Sequence, residues 1–487
     1  MMRKLLLLVI IFFVSGLPSV SLAQEKGISQ TTLNIIHEYV TEQFNNNRVI
    51  GGAYAITQEG KVIAAKGIGI ADVETKEPVT PETVYATASV TKAFTAAAIL
   101  QLAEQGQIDL DAPVNTYIPW FTYKDRDRSA KVTIRHLLTH SAGIQRLEAD
   151  GSIFQNEREN RNSLEKSVRA LSTVSMTADP GTEASYCNTC YNTLGLVIEK
   201  VTQTDYEQYM KEHIFAPLGM DHTAFDPTKM DHVASEYMWL FGLKHKSAPN
   251  VEVFGHSQNP EGGIYSNVLD LSKFLAAMLG EGPELLRPET LQTSQQGEIS
   301  TGSDGSFYSI SGFEEGSRHQ TRILYKAGDG IGSTAMVVMI PEMKVGISLL
   351  IGDSIPEIGQ PLAFGIADIL LGKKPSDVHV GITFWRLLGS ISLGLVIIGI
   401  VLLVLLVRSI FLLQHPQKPF RRGWTICRTV LCIIILLPIV YLLITVHPTQ
   451  IGFYGYPQDL AVGLFAIMIS LALWVVYSLI ALIAIRK

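Results

Sequence analysis

The sequence predicts an α+β domain, its antiparallel sheet built from both ends of the domain with flanking helices and a helical middle region, followed by three transmembrane helices. Three observations carry this reading. Residues 49–71 and 307–351 have short, β-rich, turn-punctuated patterns, whereas the chain between them repeats its apolar residues at helical spacing. Three apolar runs, 384–407, 426–446 and 460–485, close the chain, each long enough for a hydrocarbon core of about 30 Å. Met1 to Ala23 places Arg3 and Lys4 before the apolar run Leu5 to Val14, with Ser21 and Ala23 before a cut at Gln24, the pattern of a secretory signal peptide. The expected organisation is a signal peptide at 1–23, an extracytoplasmic domain at 24–380 and the three spans.

Composition agrees with membrane residence. Of 487 residues 47% are hydrophobic, high for a soluble protein, while a net charge of -6 with no long basic run excludes nucleic acid as a partner. Arg408, Lys418, Arg421, Arg422 and Arg428 crowd the first connection and the adjoining helix end. Residues 447–459 carry no Lys or Arg, and Arg486 and Lys487 end the sequence. By the positive-inside rule the C-terminus is cytoplasmic, and 24–380 lies on the periplasmic or extracellular face of a multi-pass cell-membrane protein. The three runs contain no Asp or Glu, which argues against an ion-coupled transporter.

Within the domain, Thr31 to Asn46 is helical in spacing. Val49–Thr57 and Lys61–Ala71, joined by Gln58-Glu59-Gly60, read as a hairpin. A helix opens near Ser89 and stops at Gly106, and another is expected over Val132–Gly143. Leu194–Val201, Tyr206–Phe215 and Leu269–Leu279 are the clearest helical pieces of the middle region. Strands are expected at Phe307–Phe313, Thr321–Tyr325, Ser333–Ile340 and Lys344–Ile351, and a helix over Pro356–Leu371.

Ser89-Val90-Thr91-Lys92 puts a hydroxyl and an amine one helical turn apart on one face, so the amine can take the hydroxyl's proton and Ser89 is a candidate nucleophile. Burial of the helix is expected to lower the Lys92 pKa toward that of a useful base. Two further patterns follow in the chain: Tyr186-Cys187-Asn188, ahead of a helix expected to begin near Tyr191, and Lys326-Ala327-Gly328 at the end of the strand Thr321–Tyr325. Each pattern has a second occurrence, at Ser163/Lys166, Tyr265/Asn267 and Lys344/Gly346. Ser163 lies in a polar segment, Tyr265 leads from Gly262-Gly263 into a helix, and Lys344 follows a turn, so none of the three is preferred. His136 and His140, at i and i+4, lack the glutamate and third ligand of a zinc site, so no metal is expected. Cys187 and Cys190 lack the βαβ context of a redox motif and are read as small packing residues or a local disulfide.

Ser-x-x-Lys, Tyr-x-Asn and Lys-x-Gly, in that order, resemble the serine β-lactamase and penicillin-binding-protein superfamily, in its class C β-lactamase and D,D-peptidase branch, over residues 30–370. Ile108-Asp-Leu-Asp111, His136-Leu-Leu-Thr-His-Ser-Ala-Gly143 and Pro217-Leu-Gly-Met220 add to the likeness. The resemblance implies an acyl-enzyme on Ser89, with Lys92 and Tyr186 passing its proton to the leaving group, and no cofactor. Asn188 would hold the substrate amide, Lys326 and Gly328 would flank it, and the N–H groups of Ser89 and Asp329 would form an oxyanion hole. Ala327 and Asp329 depart from the family, which more often has a hydroxyl residue at the first position and a small or hydroxyl residue at the second.

The implied function is a membrane-anchored serine hydrolase acting on a small peptide or acylated amide at a D-configured centre. With its three spans the chain also resembles colibactin-type peptidases, which remove an N-acyl-D-amino-acid cap from an exported nonribosomal peptide. A class C β-lactamase, a D,D-carboxypeptidase, a D-aminopeptidase and an esterase share these motifs. A non-enzymatic sensor, acylated by β-lactams or wall fragments, is the reading from another class. No exporter or homo-oligomer partner is identified by the sequence.

Overall fold

The computed structural model describes residues 27–145, 162–247, 255–302, 305–354, 356–378, 382–414, 422–445 and 458–484. The expected signal peptide and most of the connection at 447–459 lie outside the described residues. The strands are β1 (Gly51–Gln58), β2 (Lys61–Gly69), β3 (Tyr85–Ala86), β4 (Tyr237–Leu240), β5 (Leu243–Lys246), β6 (Tyr265–Ser266), β7 (Gly297–Ser300), β8 (Phe307–Ser309), β9 (Glu314–Arg318), β10 (Thr321–Asp329), β11 (Thr334–Ile340) and β12 (Val345–Ile351). Eight of them make one sheet in the order β2-β1-β12-β11-β10-β9-β8-β7. The join between the two chain ends is β1 against β12, antiparallel, with Ala53 opposite Leu350. Both inner strands of that join are buried throughout apart from the last residue of β1.

The principal helices are α1 (Gln30–Asn46), α2 (Thr91–Glu104), α3 (Asn188–Thr202), α4 (Val268–Met278), α5 (Pro356–Leu370), α6 (Ile382–Gln414), α7 (Arg422–Thr445) and α8 (Gln458–Ala484). One face of the sheet is covered by α1 and α5, through Ile36, Val40, Ile358 and Leu362 against Tyr54, Val338 and Ile347. The other face carries the helical region, where Phe94 of α2 stacks on Phe274 of α4 at 3.8 Å between centroids. Every residue of α2 from Thr91 to Leu102 is buried except Gln101. Its lysine is therefore taken out of water along with its alanines.

Several expected boundaries shift, each for a local reason. The strand expected over Phe307–Phe313 is interrupted after Ser309. Gly312 turns the chain at φ +79° against α2, where a Cβ would fall 2.8 Å from the Ala93 Cα, and β9 begins afresh at Glu314. β10 runs past Tyr325 to Asp329, because Lys326, Ala327 and Gly328 pair with Val337, Met336 and Ala335 of β11. The expected helix Val132–Gly143 shrinks to Ile134–Leu138, since His140 adopts φ 58° and Gly143 φ 82°. α3 begins at Asn188 rather than near Tyr191, and the expected helix Tyr206–Phe215 changes pitch at Lys211 into a wider π turn. Neither β7 nor the β4–β5 hairpin was expected.

Among the described residues two helices, not the expected three, carry apolar stretches long enough to cross a membrane: Leu387–Phe411, of 25 residues, and Val462–Leu482, of 21. The apolar stretch described in α7, Thr425–Tyr441, is shorter. α6 and α8 pack closely where residues are small. Ser470 Oγ donates to the Gly399 carbonyl (2.9 Å), and Trp474 Nε1 donates to the Leu402 carbonyl (2.7 Å).

Candidate active site

Ser89 lies in a tight 3₁₀ turn, Ala88–Val90, that feeds directly into α2. Ala88 is held at φ 44°, a left-handed conformation unusual for a residue with a Cβ, so the backbone is strained at the position before the hydroxyl. Lys92, one turn on, donates from Nζ to Ser89 Oγ at 3.1 Å. The two groups expected to meet through helical spacing do meet.

The environment of Lys92 reverses one expectation. Burial works to lower its pKa, but Glu261 outweighs that effect. Nζ donates to the Glu261 carbonyl (2.8 Å) and to Glu261 Oε2 (2.9 Å), and the Tyr186 oxygen adds to the attraction. The net shift is upward, so Lys92 is held as an ammonium rather than prepared as a base. Glu261 belongs to the short helix Asn259–Gly262, and nothing in the sequence joined it to the motif 169 residues away.

Tyr186 carries the opposite shift. Burial pushes its phenol up, but the charges of Lys92 and Lys326, with hydrogen bonds to Ser89 and Lys92, bring the pKa below the usual tyrosine value. Each lysine Nζ lies 5.0 Å from the Tyr186 ring centroid. The ring is backed by His140, stacked at 4.5 Å, whose Nδ1 accepts the Cys187 N–H at 3.0 Å. That bond ties the Tyr-x-Asn turn to the preceding helical segment. Cys187 and Cys190 form a disulfide across the first turn of α3, the local bridge allowed for by the sequence, and Asn188 is the buried first residue of that helix.

On the opposite wall, Lys326 is buried in β10 and pairs with Glu314 of β9 at 3.3 Å. Gly328 is required by close approach: a Cβ there would fall 2.2 Å from the Thr87 carbonyl oxygen and 3.1 Å from the Ser89 nitrogen. The strand thus lies against the turn that bears Ser89, and Asp329 follows at the exposed end of β10. Sequence reasoning missed both Glu261 and Glu314, because neither belongs to a short motif.

The second occurrences have other duties. Ser163 is buried while Lys166 faces solvent. Tyr265 pairs with Ala86 in a two-stranded ladder, and Asn267 caps α4 by accepting the Asp270 N–H at 2.8 Å. Lys344, at φ 55° in the β11–β12 turn, pairs with Glu281 at 2.7 Å. His136 completes a capping box with Thr133, its Nδ1 accepting the Thr133 N–H at 3.2 Å. Among the described residues no group of three His, Cys, Asp or Glu side chains could hold a metal ion.

A serine at the foot of a buried helix, flanked by a lysine and a tyrosine and faced by the edge of an antiparallel strand, belongs to the class of active-site-serine hydrolase folds. The chain is a member of the beta-lactamase family, whose model matches residues 36–369. Protein flp of Staphylococcus aureus (strain MW2) is 28% identical over 325 residues, 66% of this chain and 63% of that protein. Penicillin-binding protein 4 of Amycolatopsis lactamdurans is 27% identical over 258 residues, 50% of this chain and 65% of that protein. The chain therefore spans less than two thirds of the length of these curated relatives. The octameric penicillin-binding protein homologue from Pyrococcus abyssi superposes with a TM-score of 0.63 at 29% identity, covering 73% of this chain and 81% of that one. EstCE1, a hydrolase with promiscuous acyltransferase activity, shares the fold at a TM-score of 0.58 and 22% identity, covering 70% of this chain and 98% of that one.

Proposed function

We propose that the protein is a membrane-anchored serine hydrolase that cleaves amides through an acyl-enzyme on Ser89. The observation that carries this reading is the Ser89 hydroxyl 3.1 Å from a buried ammonium and hydrogen-bonded to a phenol of lowered pKa. Tyr186, as phenolate, takes the hydroxyl proton while Ser89 Oγ attacks the carbonyl. The ammonium of Lys92 stays charged and holds the phenolate. The N–H groups of Ser89 and Asp329 receive the oxyanion, and Tyr186 returns its proton to the departing amine. Water then releases the acyl group by the same route, with Asn188 holding the substrate amide and Lys326 the far side of Tyr186.

The charges around the cleft bear on the substrate. Glu314 neutralises Lys326, Ala327 has no hydroxyl to offer, and Asp329 adds a negative charge at the exposed end of the same strand. This favours an uncharged acyl group over the free carboxylate of a β-lactam or a wall-peptide terminus. A narrower reading, removal of an N-acyl-D-amino-acid cap from an exported peptide, is supported by the same neutralised wall together with the apolar helices, which would hold the site beside a bilayer that concentrates acyl chains. We assign the signal peptide to 1–23, the hydrolase domain to 24–380 outside the cytoplasm and the membrane helices to the remainder.

The test is labelling of the full-length protein with a fluorescent phosphonate. Label should be lost in Ser89→Ala, and turnover of acyl-D-amino-acid amides should be lost in Tyr186→Phe and Lys92→Ala. Equal labelling of Ser89→Ala removes the assignment, and labelling without turnover of any substrate favours an acylated sensor. Faster turnover of short than of long acyl chains would remove the narrower reading.

A further inference from the structure

The hairpin of β4 and β5 turns through Phe241 and Gly242, both at positive φ (51° and 76°), a two-residue geometry that matches strand twist. Its tip reads Trp239-Leu240-Phe241-Gly242-Leu243, an unbroken apolar run where an aqueous turn carries polar residues. Leu243 is 63% exposed, and Trp239, Leu240 and Phe241 are only partly buried. The tip adds nothing to the core of the domain. It rests instead on α6: a Cβ on Gly389 would fall 2.0 Å from the Gly242 nitrogen and 2.8 Å from the Phe241 carbonyl carbon, so the two backbones meet glycine to glycine. Gly389 lies in the first turn of the apolar stretch Leu387–Phe411, the level at which a span passes from headgroups into hydrocarbon.

The root of the same hairpin reaches the candidate site. Tyr237 donates its N–H to the Gly332 carbonyl (3.1 Å) and accepts the Ser354 N–H (2.9 Å), and Lys244 is paired with the buried Asp353. Gly332 sits in the β10–β11 turn, three residues beyond Asp329. One hydrogen-bonded ribbon thus connects the start of the first apolar stretch to the end of the strand that faces Ser89.

We propose that the β4–β5 hairpin is a membrane-docking element, its tip immersed in the interfacial layer of the lipid bilayer beside α6. Aromatic and aliphatic side chains are stabilised there, and the turn's own strand pairing satisfies its backbone. Docking fixes the cleft at the bilayer surface, so an acylated substrate reaches Ser89 laterally from the lipid. The proposal rests on α6 being a membrane span, as read above.

The experiment uses the full-length chain in phosphatidylcholine nanodiscs. Leu243→Cys, in a Cys427→Ser, Cys432→Ser background, is labelled with the environment-sensitive fluorophore NBD, and Ile35→Cys on α1, 48% exposed, serves as the control. The label at 243 is expected to shift to the blue and to be quenched by doxyl-labelled lipid, and the label at 35 to do neither. A label at 243 that behaves like the one at 35, in protein that resists extraction by alkaline carbonate, overturns docking and leaves the span standing. Extraction by carbonate removes the span reading itself and docking with it. In a second arm, Leu243→Asp combined with Trp239→Ser should lower kcat/KM roughly tenfold for a long-chain acyl amide in vesicles and leave a short-chain soluble ester unchanged. Equal rates on both substrates overturn the proposal.

Discussion

Substituting Glu261→Gln tests whether Lys92 acts as a fixed cation. The side chains are isosteric and the Glu261 backbone carbonyl still accepts from Nζ, so the change removes one buried negative charge 2.9 Å from a fully buried ammonium. Taking away one partner of a buried pair costs about 3–5 kcal/mol, because the remaining charge stays desolvated. Here that cost falls on the protonated form of Lys92, so the variant releases the lysine proton at lower pH. On the proposed mechanism kcat/KM of the wild type is expected to rise with pH as Tyr186 ionises and to fall as Lys92 loses its proton, a bell-shaped profile. Its alkaline limb should move toward neutral pH in Glu261→Gln, with kcat/KM above neutrality reduced ten- to hundredfold, each factor of ten being about 1.4 kcal/mol. Glu261→Asp, which keeps the charge, should recover part of the limb. The measurement is kcat/KM against pH on an activated ester, with circular dichroism to confirm folding. A folded Glu261→Gln variant whose alkaline limb coincides with the wild type would refute the assignment of Lys92 as a cation and return it to the role of base.

Three other outcomes are expected. Gly328→Ala should reduce acylation by phosphonate probes about a hundredfold, because its Cβ would force β10 away from the Thr87 carbonyl and the Ser89 N–H, and the melting temperature will report the strain. Burial raises the Glu236 pKa from 4.5 to about 7, against the lowering effect of the Ala86 N–H, so the folded chain binds this proton more tightly than the unfolded one. Its stabilising contribution is present below about pH 4.5 and is lost as pH rises through 7. Glu236→Gln should therefore raise stability at pH 8 by up to about 3 kcal/mol, at about 1.4 kcal/mol per unit, and leave it little changed at pH 4 in denaturant titrations. Replacing both Cys187 and Cys190 by serine should cost about 2 kcal/mol from the closed four-residue loop. It should also lower kcat, since Cys187 stands between Tyr186 and Asn188; unchanged kcat in the reduced or substituted protein would show that His140 alone holds the turn.

What the sequence determined by itself is local or periodic. Ser89 and Lys92 meet because three residues make nearly one helical turn, and that holds wherever the helix is placed. That one sheet draws on both ends of the domain was legible from the strand patterns there, and the structure then showed which strands join them, β1 against β12. The protonation of the site was decided only by the tertiary structure. Burial alone would have lowered the Lys92 pKa, as the sequence suggested; packing the Asn259–Gly262 helix beside α2 brought Glu261 to it and reversed the sign. Glu314 reaches Lys326 across neighbouring strands because a turn at Gly312 divides the expected strand and sets the register of β9, which no short motif encodes. The second apolar run shows the same division from the other side. Length and hydropathy can be counted along a chain, but the partners of Arg428, near the start of α7, cannot: its guanidinium lies 4.2 Å from the Trp474 ring centroid and donates to Ser478, groups that packing with α8 supplies. Charge pairing across the fold depends on which surfaces meet, and that is settled by burying the whole chain at once.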